Sequence, residues 1–390
     1  MKKIIKKIKK FITNILVMPI RNREKRHYTR WWIMNFRFLD CLLWIKFVYS
    51  TIRQNSVLLI ETNNCHGEVI AGYIQYFQKL GFNIDILVSS EVYTEKPFCR
   101  LNLENVRVFQ CDFIVQKWIL YSKKIINYKH VFLMSSAYYR ESVGEKYTSA
   151  LDAFPPLRGH PSLFVIEHDL ADIARFKEEE FLKHNRLITL GHFDKGVFMS
   201  PILFGNIEKN PKNKVTTFIT IGAIKGFRKN HQALIQAIEQ LAQENLRFKV
   251  IIVGSGSLDS LPKTVHPYIQ IMGRLNFPKM FKCMEKADFF LPLLDADTPE
   301  HERYITTGVT GSAQLIYAFS KVPVLHPKFA PFYEFNEKNA ILTSDLAQGM
   351  RKAIQISADE YTQKQSALTD LAQKLGNESL HNLKEILHYA

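Results

Sequence analysis

From residue 56 onward the chain repeats one pattern: a short run of apolar residues, a turn, and a stretch of helical period. SVLLIETNN is followed by GEVIAGYIQYFQKLGF, which stops near Gly81, and then by NIDILVSS; VRVFQCD, HVFLMSSA and SLFVIEHD continue the series. Continuous apolar runs of this length belong to strands covered on both faces, and their alternation with helices makes the strands parallel. The polar stretch NIEKNPKNKVTT breaks the pattern and reads as a linker. The pattern then restarts with TTFITIGAI, NHQALIQAIEQLAQEN, FKVIIVGSG, YIQIMG, ADFFLPLL, SAQLIYAFSK and VPVLHP, and residues 345–390 read as helix. Two doubly wound α/β halves are expected, residues 54–205 and 206–390. Each presents the C-terminal ends of its strands to a cleft between them. A length of 390 residues with 46% hydrophobic residues suits two cores of ordinary size.

The charge is concentrated outside these halves. Residues 1–53 hold fourteen basic residues against two acidic ones, a net +12 of the chain's +15. In MKKIIKKIKKFITNILVMPI, residues Ile4, Ile5, Ile8, Phe11, Ile12, Ile15 and Leu16 share one helical face. Lys2, Lys3, Lys6, Lys7, Lys9 and Lys10 cover the other, and Pro19 is the stop signal. Such a helix lies in a membrane interface, with its lysines toward anionic headgroups. Packing on its own protein is the alternative. The interrupted apolar stretch and the lack of a small-residue cleavage site exclude a signal peptide. A second stretch carries Trp31, Trp32, Phe36, Phe38, Leu42, Leu43, Trp44, Phe47 and Tyr49 around Arg37, Asp40 and Lys46. Those charges make it a poor membrane span, and it reads as a second amphipathic helix, on the membrane or against the body. The expected location is peripheral, on the cytoplasmic face of the plasma membrane. A nucleic-acid arm needs no apolar stripe, so no nucleic-acid partner is expected. Five scattered cysteines with no C-x-x-C pair read as reduced thiols, and no metal site is expected.

The second half, through TIGAIKGFRKNHQALIQAI, KVIIVGSGSL, IQIMGRLNFPKMFKCMEKADFFLPL and TTGVTGSAQLIYAFSKVPVL, resembles the donor domain of GT-B glycosyltransferases, closest to glycosyltransferase family 4. The resemblance covers residues 215–345 well and residues 56–205 in outline. It implies two Rossmann-like domains behind an amphipathic helical arm. The implied activity is transfer of a sugar from a UDP- or other NDP-sugar to a lipid-linked or surface-polysaccharide acceptor, such as lipopolysaccharide or capsule. Hexosyl transfer with retention and no required cofactor is the implied form. Lys229 matches the family's diphosphate-binding lysine. Arg228 stands beside it, and Ala223 occupies a position often held by arginine. Fixed cations there stabilise the charge that grows on the leaving diphosphate. Gly311 matches a glycine that approaches the diphosphate, with Ser312 and Thr310 at the same helix start.

The usual pair of glutamates around this turn is missing, because Gly308 and Ile316 stand at the matching positions. Glu300 and Glu302 lie just upstream as replacements or as plain surface acids, in one loop with Arg303 and Tyr304. Gly254 in GSGSL and Arg274 in GRLNF lie at strand ends near the expected base pocket. Asp295 and Asp297 form a D-x-D sequence that suits metal in a different glycosyltransferase fold. In the first half, Gly67 in NNCHGEV opens a helix beside His66 and Glu68. His168 in FVIEHD is the preferred polar candidate, as acceptor base, sugar contact or structural histidine. Two other readings remain: a sugar-nucleotide epimerase, and a catalytically degenerate member acting as a membrane-bound scaffold.

Overall fold

The computed structural model describes residues 2–388 apart from 23–24, 27–28, 31–32, 35–37, 112, 141–145, 203, 225–227 and 259–260. Residues 2–6, 8–9, 38–40, 113–114, 140 and 146–147 are described as backbone only. Trp31, Trp32, Phe36 and Arg37 therefore lie outside the described residues. The arm contains α1 (Lys2–Val17) and α2 (Phe38–Tyr49).

The first half is built on β1 (Ser56–Ile60), β2 (Asn83–Val88), β3 (Val106–Gln110), β4 (His130–Leu133), β7 (Leu163–Glu167), β8 (Leu187–Thr189) and β9 (Val197–Phe198). They form one parallel sheet in the order β3-β2-β1-β4-β7-β8-β9. A hairpin of β5 (Ala137–Arg140) and β6 (Lys146–Ser149) rises from the end of β4. All five residues of β1 are buried, as a strand covered on both faces requires. On one face lies α3 (Gly67–Lys79), with Val69, Ile70, Tyr73, Ile74, Tyr76 and Phe77 inward. It ends where the sequence indicated. Gly81 has φ +74, its N–H bonds to Gln78 O, and Phe82 N–H bonds back to Phe77 O, a Schellman closure. On the other face lies α4 (Phe113–Leu120), and α2 packs over it.

The second half has β10 (Thr216–Ile221), β11 (Phe248–Val253), β12 (Ile269–Gly273), β13 (Phe289–Phe290), β14 (Val322–Leu325) and β15 (Ile341–Leu342), all parallel, in the order β12-β11-β10-β13-β14-β15. Its helices are α5 (His231–Gln243), α6 (Phe277–Lys286), α7 (Gly311–Phe319), α8 (Leu346–Gln355) and α9 (Ala358–His388). The strand order reverses between β10 and β13, which is where an open α/β sheet binds its ligand. The last helix does not stay with this half. Ser379 Oγ accepts from Ser200 N at 3.0 Å, Asn382 donates to Phe198 O at 2.9 Å, and Glu378 pairs with His192. The end of α9 thus ties the second half back to the first.

The two arm helices have different fates. α2 is docked: Phe47 is fully buried against Phe109, Trp44 meets Trp118 edge-on, and Lys124 caps the carbonyls of Phe47 and Ser50. α1 turns Thr13 and Val17 inward and leaves Phe11, Ile12, Ile15 and Leu16 exposed, with Phe11 at 67%. No described helix is long and apolar enough to cross a membrane.

Candidate functional site

On the side of the second half, the cleft begins where β10 and β11 end. Gly222 has φ +145, a conformation that favours glycine. Gly254 sits so close that a Cβ there would lie 1.7 Å from Gly222 O. Gly254 is therefore a close-packing glycine between two strand ends. A Gly254→Ala change is expected to cost about 3 kcal/mol by overpacking and to lower the melting temperature by roughly 5 °C in a thermal melt.

Lys229 runs along this glycine pair. A Cβ on Gly222 would meet Lys229 Cε at 2.6 Å. Its Nζ donates to Pro292 O at 2.8 Å and to Ser312 Oγ at 3.1 Å. Burial pushes its pKa down to about 7. Ser312 lies in the first turn of α7. The hydroxyl of Thr310 caps that helix by accepting from Ser312 N at 3.3 Å, and Thr310 N donates to the Tyr333 hydroxyl at 3.2 Å. A Cβ on Gly311 would have no atom within 4 Å, so the helix start opens onto free space. A poised cation, a helix N-terminus and a clear approach make a cradle for an anion such as a diphosphate. Gly311→Ala is accordingly expected to leave the melting temperature unchanged. It should weaken binding of UDP roughly tenfold in a calorimetric titration.

The other donor-side candidates are dispersed. Arg228 is exposed next to Lys229. Glu302 pairs with Lys328, while Glu300 is exposed on the surface. Arg274 reaches across the cleft to Glu95 of the first half. Asp295 accepts from Asn230 Nδ2 at 2.6 Å, Asp297 N at 3.0 Å and Thr298 Oγ1 at 3.2 Å, which ties its own loop. Ile316 is buried in the core and Gly308 faces the first half, where its Cβ would meet His168 O at 3.4 Å.

Opposite stand the strand ends of the first half. His168 Nε2 lies 2.8 Å from Met134 O, so this nitrogen carries the proton. Burial and the neighbouring His66 push its pKa down to about 4. The His66 ring lies 4.6 Å from that of His168, centroid to centroid, and its φ of 63 is left-handed. Burial alone would lower the His66 pKa, but hydrogen bonds to Cys65 and Glu68 hold it well above its usual value. Gly67 is packed, since a Cβ would meet Pro97 and Val92 at 2.9 Å.

Beneath these histidines lies a polar lattice that local pattern does not announce. Buried Glu61 accepts from Asn63 N, Asn63 Nδ2 and Ser135 Oγ, and burial raises its pKa. Glu167 accepts from Ser136 Oγ and Asp169 N. The one signal in the chain is Glu, Thr, Asn and Ser at the ends of apolar runs (ETNN, SSA, EHD). The halves meet in a strap: Asp169 pairs with Arg303 and bridges to Gly308, and Leu170 N donates to Thr307 O at 2.6 Å.

Comparison with known proteins bears on this arrangement. Residues 215–328 match the family model described as Glycosyl transferases group 1. A glycosyltransferase from Rickettsia africae superposes with a TM-score of 0.54 at 13% identity, covering 86% of this chain and 98% of that one. Anabaena HepE in complex with UDP gives 0.52 at 11% identity, covering 85% and 100%. The α,α-trehalose 6-phosphate synthase of Burkholderia multivorans gives 0.51 at 9%, covering 86% and 98%. This is the GT-B glycosyltransferase fold. No curated protein matches the sequence. The matched segment contains Lys229, Gly254, Gly311 and Ser312.

Proposed function

We propose that the chain transfers a hexosyl unit from a nucleotide-sugar, UDP-linked or of another base, to a lipid-linked or surface-polysaccharide glycan. The reaction takes place at the cytoplasmic face of the membrane, with no cofactor required. The observation that carries this reading is the Lys229–Ser312 contact at the open start of α7. A diphosphate there places its sugar toward His168. Gly308 forms a backbone bridge with Asp169, the neighbour of His168, and Gly311 is three positions further along the chain, about 11 Å at most. The protonated lysine and the helix amides then meet charge as it develops on the leaving diphosphate. UDP in the complex of Anabaena HepE supports the choice of donor. The outward apolar stripe of α1 supports the membrane surface.

Retention of configuration is the stereochemistry we assign. A general base works best with a pKa near the operating pH. Of the two histidines at the strand ends of the first half, His66 is held protonated and His168 is too weakly basic, at about 4, while Lys229, at about 7, is bonded to Pro292 O and Ser312 Oγ on the diphosphate side. A leaving phosphate oxygen can take the acceptor proton instead, on the face the donor occupied. His168 is then a sugar contact rather than a base. His168→Ala should lower transfer without moving the pH–rate profile. The test of the whole reading is a panel of nucleotide-sugars offered with membrane glycolipid acceptors, with the product anomer read by proton NMR. Transfer with the donor's anomeric configuration is expected. Tight donor binding with no transfer would favour the scaffold reading, to which the buried Ile316 in place of an acid already lends weight.

A further inference from the structure

A second cavity lies beyond the strap that joins the halves. It has a volume of about 630 Å³, within the range of small-molecule sites. Its wall includes Leu170 and Thr307, the two residues whose backbones bond across the strap. Leu170 is two residues from His168, so the cavity begins within about 7 Å of chain from the candidate sugar contact. Separation of that size is spanned by one sugar ring and its linkage.

The lining selects among ligands. Phe193 and Phe332 stand with ring centroids 5.1 Å apart, tilted by 46°, and both are partly exposed to the cavity. Glu179, Asp194 and Lys195 share the wall with them. A hydrocarbon chain would use the apolar part of this wall but leave these exposed charged groups without a partner. A second nucleotide would meet two carboxylates against one lysine. An uncharged polyol fits both features, because its C–H faces lie on aromatic rings while its hydroxyls bond to charged groups. The floor residues Leu170, Ile173 and Leu182 belong to the same apolar cluster as Phe47 and Trp44 of α2. The cavity and the docked arm helix thus lie on one face of the first sheet.

We infer that this cavity is a subsite for the acceptor's own glycan chain, holding the sugar or sugars behind the one that receives the transferred unit. This rests on the glycosyl-transfer reading and narrows it: the acceptor is an oligosaccharide of at least two units rather than a bare lipid phosphate.

The test uses the full-length protein and a printed array of bacterial surface oligosaccharides, followed by titration with the oligosaccharides that bind. Ala174→Trp fills the cavity from an exposed lining position, and Phe193→Ala removes one ring without adding bulk. Wild type should bind oligosaccharides of two or more sugars. Each variant should bind them roughly tenfold more weakly. UDP affinity should stay within about twofold in both, since the two sites share no side chain. Absence of oligosaccharide binding by wild type would overturn the inference, and so would unchanged binding by both variants. So would a loss in Ala174→Trp confined to dodecyl phosphate, used as a probe for a lipid tail. Failure to bind UDP with glycan binding intact would sink the donor assignment and leave this subsite standing.

Discussion

Lys229→Ala is expected to lower glycosyl transfer roughly 10²–10³-fold, the usual effect of deleting one aimed charge from a transition-state cradle. The fold should survive, because the lysine's buried charge is a cost to the native state. Its pKa falls from the usual lysine value to about 7 on folding. The unfolded chain therefore holds a proton that the folded chain releases between pH 7 and the ordinary lysine range, and stability from this group rises with pH across that window. Alanine removes the penalty below it. Binding works in the opposite direction. A diphosphate favours the charged amine, so UDP binding above pH 7 must draw a proton onto Lys229. The dissociation constant should rise by up to about tenfold per unit between pH 7 and 9. Calorimetry in buffers of different ionisation enthalpy should register the proton uptake. In Lys229→Ala both the uptake and that pH slope should disappear. A variant that keeps wild-type transfer would remove the lysine from the mechanism.

The second large effect belongs to the arm. Removing residues 2–20 should release the protein from anionic vesicles while leaving UDP binding unchanged. Six lysines at about 1 kcal/mol each correspond to roughly 10⁴-fold in membrane partition, before the apolar stripe is counted. The stripe has its own test. Phe11→Ser with Ile15→Ser keeps every charge, and it should still weaken binding because these side chains are exposed and have a bilayer to enter. Raised salt should weaken the wild type and affect neutral vesicles little. Equal co-sedimentation of the wild type and the shortened chain would show that the arm serves some purpose other than the membrane.

Much of the fold is readable in the sequence because parallel strands leave a plain mark. FITI and VIIV are largely apolar runs with buried side chains, and FITI is followed by a helix of clear period. The elements that leave no mark are too short to have a period. β8, β9 and β15 are two or three residues each, and the hairpin at Ala137–Ser149 carries tyrosines and charges with no alternation. The return of α9 to the first half is also hidden, since Ser379 and Ser200 are 179 residues apart.

The site divides along the same line. Lys229, Gly311 and Ser312 stand out by local pattern, and the fold brings Lys229 against Ser312 across 83 residues. Gly254 and Gly67 look like ligand glycines in sequence, but each is required by a neighbour that only the tertiary structure supplies: Gly222 O for one, Pro97 and Val92 for the other. Glu302 sits in sequence where a replacement acid would serve, yet it turns to Lys328. An acid's partner is not encoded in its own segment.

The most direct measurement is a crystal structure with UDP bound. Density for the diphosphate between Lys229 Nζ and the backbone at Gly311 and Ser312 is the expected result. A diphosphate seated elsewhere, with Lys229 still bonded to Pro292 O and Ser312 Oγ, would contradict the assignment of this cleft as the donor site.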